Sequence, residues 1–480
     1  MINKFFLEQI KKKFPFTPTD EQNLALEQLS DFLFDRNAES LFLLKGYAGT
    51  GKSSLVGALV KTMNELQQKS VLLAPTGRAA KVFAAYAGQN AYTIHKKIYR
   101  QKTFSNEPDG FVQADNLHKQ TLFIVDEASM ISNDGLDSFS FGSGRLLDDL
   151  IRYVYSGDGC RLILLGDSAQ LPPVSRPESP ALDSSVLSGY NLDVRQITLT
   201  QVVRQAEMSG ILMNVTLLRN AIDDGNVFVF PQIQTQKYPD VKVIQGDELI
   251  EAIEDAYTQD GLEETIVISR SNKRTNIFNT GIRNRILWRE EELSTGDLLI
   301  VAKNNYYWVK NTKEMDFIAN GDIMEVKRIR KTQELYDFHF CDLTVYFPDY
   351  DVEMDVKILL ESLHTNSAAL PKELSDKLFY NTGEDYAHLT TQKERMQKIK
   401  ENPFYNAIQI KYAYAVTCHK AQGGQWKNVF LDLAYVPKEY LGTDFYRWLY
   451  TAFTRASKRI YLVNPVKELL ASPPNNNYYK

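Results

Sequence analysis

The chain has 480 residues, 44% hydrophobic and 24% charged, with a net charge of −5 at pH 7; this is the composition of an ordinary soluble protein of two to four domains. The acidic balance excludes a global field that attracts nucleic acid, so any such contact must come from a local groove. The three scattered cysteines, Cys160, Cys341 and Cys418, exclude a disulfide framework and fit a reduced cytoplasmic setting, and no stretch approaches the ~20 apolar residues that span a bilayer.

Residues 1–37 read as two helices split at Pro15 and Pro18, the second with Leu26, Leu29 and Leu33 on one face. Its entry, Thr19-Asp20-Glu21-Gln22, fits a capping box in which Gln22 bonds back to the helix start. The same amide can donate and accept at once, so Gln22 also qualifies as a reader of an adenine edge. A buried strand from Leu41 then runs into Gly46-Tyr47-Ala48-Gly49-Thr50-Gly51-Lys52-Ser53. Every fixed position of the phosphate-loop pattern is filled. Its glycines let backbone N–H groups turn inward around phosphate oxygens. The helix that follows aims its positive end at the same anion. Lys52 supplies a mobile cation, and the Ser53 hydroxyl suits Mg²⁺.

A second strand, Ser70–Ala74, enters Pro75-Thr76-Gly77-Arg78, a helix start whose N–H groups and cation suit another phosphate or form a plain βα turn. His95 follows, a lone histidine of either role. Residues 98–117 break the βα rhythm, and Pro108-Asp109-Gly110 marks the turn of a hairpin, either a wedge or a loop. Strand Thr121–Val125 ends in Asp126-Glu127. Carboxylates at the tip of a parallel strand sit where ligands bind, Asp126 placed for Mg²⁺ through water and Glu127 to polarise an attacking water. Strand Arg161–Leu165 ends in Gly166-Asp167-Ser168-Ala169-Gln170, where Gln170 is a candidate γ-phosphate sensor. Four βα-type units by residue 175 define one parallel-sheet nucleotide-binding domain.

Further strands at Val241–Ile244 and Thr265–Ser269, with helices near 247–258 and 272–288, begin a second α/β domain. Residues 295–402 change character: short β runs and frequent turns read as a small β-barrel, followed by a charged helical stretch from Pro371 with no assigned role. Strand Ala407–Thr417 resumes the α/β pattern, and helix 443–456 with strand Arg459–Val463 completes it. Arg455 ends that helix; facing the phosphate loop across a cleft it would stabilise charge on a transferring phosphoryl.

Taken together these segments resemble the superfamily 1 helicases, most closely the RecD/Dda-like group that moves 5′ to 3′ on DNA. The phosphate loop, Ala74–Arg78, Asp126–Ser129, Gly166–Gln170, Val203–Gln205, Thr417–Gly423 and Tyr450–Arg455 stand in the order of the family's motifs. The resemblance implies two RecA-like parallel-sheet domains in tandem, a hairpin pin inserted in the first (about 98–117) and an SH3-like barrel in the second. The expected limits are 1–192, then 193–294 with 406–471, the insertion 295–405, and a tail 472–480. It implies a nucleotide set of Gln22, Gly46, Ala48, Gly49, Thr50, Gly51, Lys52, Ser53 and Ser54. The expected catalytic set is Lys52, Asp126, Glu127, Gln170, Arg204 and Arg455, with ATP and Mg²⁺ as cofactors and Ser53 and Asp126 holding the metal. Single-stranded DNA is expected on Pro75, Thr76, Arg78, His95, Thr417 and His419. The implied protein is a compact monomer without extra N-terminal domains, cytoplasmic, off the membrane, and partnered by duplex junctions and by replication or repair proteins. The residues leave open an RNA or RNA–DNA helicase, a protein-displacing translocase, and a phosphate-loop ATPase or kinase acting on no nucleic acid.

Overall fold

The computed structural model describes residues 2–37, 39–101, 111–133, 135, 142–174, 176–202, 209–309, 312, 315 and 317–471. The tail at 472–480, the pin tip with Phe104 and Pro108, and the expected site residue Arg204 lie outside them.

The first sheet contains β1 (Ser40–Gly46), β2 (Lys69–Ala74) and β3 (Ala91–Thr93). A separate two-stranded ribbon follows, β4 (Tyr99–Gln101) and β5 (Phe111–Gln113), antiparallel with Tyr99 opposite Gln113. The expected hairpin is therefore present at its base. The sheet continues with β6 (Thr121–Val125), β7 (Arg161–Gly166) and β8 (Asp193–Leu199). All its pairings are parallel, in the order β3-β2-β6-β7-β1-β8. Side chains alternate between the two faces of a strand. Thus Leu41 and Leu43 of β1 enter one apolar cluster and Phe42 and Leu44 the other. A sheet covered on both faces needs strands that are apolar at every position, and β6 is buried throughout.

The second sheet is built from β9 (Val241–Ile244) and β10 (Thr265–Ser269), then resumes after the barrel. The barrel strands are β11 (Leu298–Val301), β12 (Ile323–Leu335), β13 (Phe338–Phe347), β14 (Val352–Leu359) and β15 (Ile408–Tyr412). They close completely, which removes exposed edges. The sheet then takes β16 (Ala415–Thr417), β17 (Trp426–Asp432) and β18 (Ala456–Val463), in the parallel order β16-β10-β17-β18-β9. Helices Lys372–Glu384 and Gln392–Glu401 sit on the barrel, where Leu370 and Leu378 pack with Phe338 and Phe340. No described helix is long and apolar enough to cross a membrane.

Two expected limits move and one expected strand divides. The boundary at 192 falls just before β8, whose Val194 pairs with Leu41 of β1, so the first sheet runs to Leu199. The expected strand Ala407–Thr417 is two strands. Its first half, β15, pairs with β11 and β14 to shut the barrel, which therefore extends past 405; its second half, β16, joins the second sheet. The division follows from the pairing partners, since both halves are equally apolar.

One buried charge ties barrel to sheet. Asp297, fully buried before β11, accepts from Arg283 Nη2 at 3.0 Å, Arg289 Nη1 at 2.6 Å and Tyr414 Oη at 2.7 Å. Removing one member strands the others in a dry environment. We expect Asp297→Ala to lower stability by about 3–5 kcal/mol, read from chemical denaturation; a change under 1 kcal/mol would show that the cluster is dispensable.

Candidate functional site: a cleft between two parallel sheets

The phosphate loop leaves β1 at Gly46 and enters helix Lys52–Glu65. Gly49 (φ 76°) and Gly51 (φ 85°) take left-handed backbone, which a Cβ disfavours. A Cβ on Gly46 would lie 3.0 Å from both Lys52 Cγ and Thr50 Oγ1. Thr50 Oγ1 donates to Tyr47 O at 2.8 Å, which tightens the turn. The Lys52 ammonium donates to the carbonyls of Gly46 and Tyr47, so it lies folded along the loop.

Carboxylates stand at neighbouring strand tips, as strand order requires. Asp126 follows β6, with Oδ1 accepting from Glu127 N at 2.8 Å and Oδ2 from Tyr86 Oη at 2.5 Å. Glu127 holds left-handed backbone (φ 51°), a conformation unusual outside glycine and common at functional sites. Burial pushes its carboxyl up, the Asp126 charge adds to this, and Arg455 and Lys52 oppose it. Asp167 follows β7 and is raised by burial, with Lys52 opposing. Gln170 is buried, and its Oε1 makes no hydrogen bond.

The second sheet supplies the opposite wall. Arg455, 3% exposed, reaches Glu127 Oε1 at 3.7 Å and donates to Gly424 O at 3.1 Å. Tyr450, fully buried on helix Thr443–Phe453, donates to Asp167 Oδ2 at 2.7 Å and accepts from Ala48 N of the phosphate loop at 2.9 Å. Burial and the Asp167 charge hold its phenol well above the ordinary range, so it stays protonated. Next to it, Thr451 Oγ1 accepts from Leu171 N at 2.9 Å. Tyr47 Oη donates to Asp223 at 3.1 Å, and the Arg219 guanidinium lies 4.7 Å from the Tyr47 ring. These groups enclose a cleft of about 520 Å³ bordered by Gln22, Lys52, Asp126, Glu127, Gln170 and Arg455. Gln22 takes the first of its two expected roles, the capping box, and borders the cleft. It completes the capping box with Thr19 and donates through Nε2 to Thr50 O at 2.9 Å while lining the cleft.

A second concavity, about 470 Å³, lies where both sheets meet the barrel. Thr76, Arg78, Thr417 and His419 line it; Pro75 and His95 do not. Thr76 caps its helix by accepting from Ala79 N at 3.2 Å. The Arg78 guanidinium stacks on Trp426 at 4.1 Å and donates to Gln425 O at 3.1 Å, so it bridges the two domains. His95 packs instead against Tyr99 and Phe317, and desolvation lowers it to about 4. A neutral ring among aromatics at the base of the hairpin is a packing element, not part of the groove wall.

Residues 19–227 match a family described as AAA domain, and residues 412–463 match the UvrD-like helicase C-terminal domain. The two matches flank the barrel. An uncharacterized protein of Acanthamoeba polyphaga mimivirus is 22% identical over 92% of this chain and 98% of its own length. The ATP-dependent DNA helicase Dda of Enterobacteria phage T4 is 23% identical over 81% of this chain and 86% of its own. The chain is similar to the superfamily 1 helicases of the RecD/Dda-like group. The ATP-dependent RecD2 DNA helicase of Deinococcus radiodurans adds 31% identity over 40% of this chain, a stretch that is 23% of RecD2.

Several residues in or behind the two sites were not singled out by the sequence pattern. Tyr86 and Tyr450 touch the strand-tip carboxylates from helices whose apolar periodicity made them look like core. Arg270, Ser271 and Lys420 line the groove. Arg270 and Ser271 follow the tip of β10, and the strand-tip rule that found Asp126 would have found them. We expect Tyr450→Phe, which strips one hydrogen bond from Ala48 N and one from buried Asp167, to weaken binding of a fluorescent ADP analogue about tenfold, as ~1–3 kcal/mol per unsatisfied buried group implies. Unchanged affinity would remove Tyr450 from the site.

Proposed function

We propose that the chain is an ATP-dependent DNA helicase that translocates 5′ to 3′ on single-stranded DNA and unwinds duplex ahead of it. The observation that carries this reading is Arg455, delivered by the second sheet to within 3.7 Å of Glu127 over the phosphate loop of the first. A nucleotide pocket split between two sheets opens and closes when they move; a pocket within one sheet has no such stroke.

The chemistry follows from position. The loop N–H groups and Lys52 hold the nucleotide's phosphates, and Gln22 faces the base. Glu127, with its raised carboxyl and contact with Arg455, orients the attacking water and receives its proton. Gln170 senses the γ-phosphate through its amide N–H, and its unengaged Oε1 accepts from the attacking water. Arg455, and Arg204 by its place in the sequence, stabilise the transferring phosphoryl. Ser53 hydroxyl and Asp126 carboxylate form a hard-oxygen pair that fits Mg²⁺; the metal neutralises charge on the β- and γ-phosphates when bound. The Ser53–Asp126 neighbourhood includes the Tyr86 hydroxyl, which holds one Asp126 oxygen.

Single-stranded DNA runs through the groove at the sheet–barrel junction, gripped through backbone contacts by Thr417, His419 and Arg270 and by the helix start at Thr76. The domain division in this reading is a first RecA-like unit to Leu199, a second interrupted by the barrel and its helical pair, and a pin on the β4–β5 base. The working unit is a cytoplasmic monomer.

Hydrolysis should rise severalfold or more with oligothymidylate; a rate indifferent to DNA and RNA oligomers would defeat the reading. Arg455→Ala should cut turnover by at least ~10³ and spare nucleotide binding, whereas near-wild-type turnover would take it out of the chemistry. On fluorescent duplexes, a 5′ single-stranded tail should support unwinding and a 3′ tail should not, with an RNA-tailed duplex as the control for substrate class.

A further inference from the structure

An open groove of about 690 Å³ lies on the second domain, and none of its lining residues borders the nucleotide cleft or the DNA groove. One wall is helix Asn272–Arg285. Lys273, Ile277, Gly281 and Arg285 recur on that wall every four residues, the spacing of one helical face. Ile250 and Ile253 of helix Leu249–Asp260 form the facing wall. Ile277 is 53% exposed although apolar neighbours surround it.

Two features mark this face as a seat for a partner. Gly281 sits mid-helix, where glycine costs ~1 kcal/mol relative to alanine. A Cβ there would meet nothing within 4 Å, so packing does not require the glycine; it keeps the groove deep. The charges are also one-sided. Among the described residues that line the groove there is no Asp or Glu, while Lys273 and Arg285 are exposed at its two ends and neither pairs with a carboxylate. His364 at the barrel end is already paired with Glu292 at 2.6 Å.

We propose that this groove docks an acidic segment of a partner protein, with its apolar side chains over Ile250, Ile277 and Gly281 and its carboxylates on Lys273 and Arg285. The two cations are twelve residues apart, about 18 Å along a helix, a span matched by five or six extended residues at ~3.3 Å each. Two cations are too few to track a nucleic-acid backbone, and the apolar floor has no use there. The contact would tether the motor to a companion without touching either of its sites.

The test uses the full chain and a fluorescein-labelled seven-residue peptide that alternates aspartate with leucine and phenylalanine, followed by anisotropy. The wild type should bind it, and more weakly as salt rises. Gly281→Leu, which fills the groove, and the double change Lys273→Glu with Arg285→Glu should each weaken binding at least tenfold while DNA-stimulated ATPase stays at the wild-type level. The charge reversal keeps the test valid if Gly281→Leu fails to fold. No binding by the wild type, equal binding by both variants, or equal binding of a peptide with lysine in place of aspartate would overturn the proposal. So would loss of single-strand affinity in the variants with peptide binding intact, which would make the groove a DNA contact. A dimer of the wild type that Gly281→Leu dissolves would also overturn it, because the occupant would then be a second copy.

Discussion

Tyr450 makes two hydrogen bonds with one oxygen, and the rest of the site is arranged around that economy. The hydroxyl accepts from an N–H of the phosphate loop and donates a hydrogen bond to Asp167 at the tip of β7, although it belongs to the other domain. Both partners are groups that fold the first sheet, and neither is satisfied inside it in this way. The loop that holds phosphate and the strand tip that carries Gln170 are thereby read by one buried phenol. Asp223 beneath Tyr47 and Thr451 against Leu171 extend the same grip. A rotation of the second domain cannot leave the loop unaffected, because buried hydrogen bonds must break or move with it. In the proposed cycle this contact couples hydrolysis to motion.

The barrel makes the second contact between the halves. It interrupts the second sheet between β10 and β16, and the Asp297 cluster fixes it to helix Asn272–Arg285. From there Asp322 and Tyr350 of the barrel reach Gly77, where a Cβ would lie 2.6 Å from the Tyr350 hydroxyl. Lys81 donates to Pro348 O at 2.9 Å. The strip from Thr76 to Lys81 is therefore held by barrel on one side and by Trp426 on the other. A strand passing through this junction touches three structural units, and a shift of any one of them changes the grip.

Much of this was legible in the residues. The phosphate loop has a spacing fixed by chemistry, and Asp126 and Glu127 follow a strand tip, so a linear reading finds them; Arg455 was assigned to the catalytic set by the resemblance. The two parallel sheets were legible because a strand buried on both faces has a continuous apolar run, as Leu41–Leu44 of β1 and Leu122–Val125 of β6 do. What stayed hidden depends on tertiary pairing. Nothing local tells β8 to pair with β1, or divides Ala407–Thr417 between a barrel and a sheet. The stacking of Arg78 on Trp426 and the packing of His95 against Phe317 are set by residues hundreds of positions away. Tyr450 was invisible for the same reason. An amphipathic helix shows which side is buried, and not which buried hydroxyl will meet a carboxylate.

For nucleotide binding to move the two domains, the cleft between them must close on the nucleotide. The native cysteines are all buried, so dyes placed by Leu117→Cys and Trp288→Cys, at positions 88% and 79% exposed in the first and second halves, would report the relation of the domains by energy transfer. Transfer efficiency should shift when a non-hydrolysable ATP analogue is added in the presence of oligothymidylate, and return on exchange for ADP. In Tyr450→Phe the shift should need more analogue. Identical efficiency in the nucleotide-free, analogue-bound and ADP-bound protein would contradict a closing cleft and with it the proposed stroke.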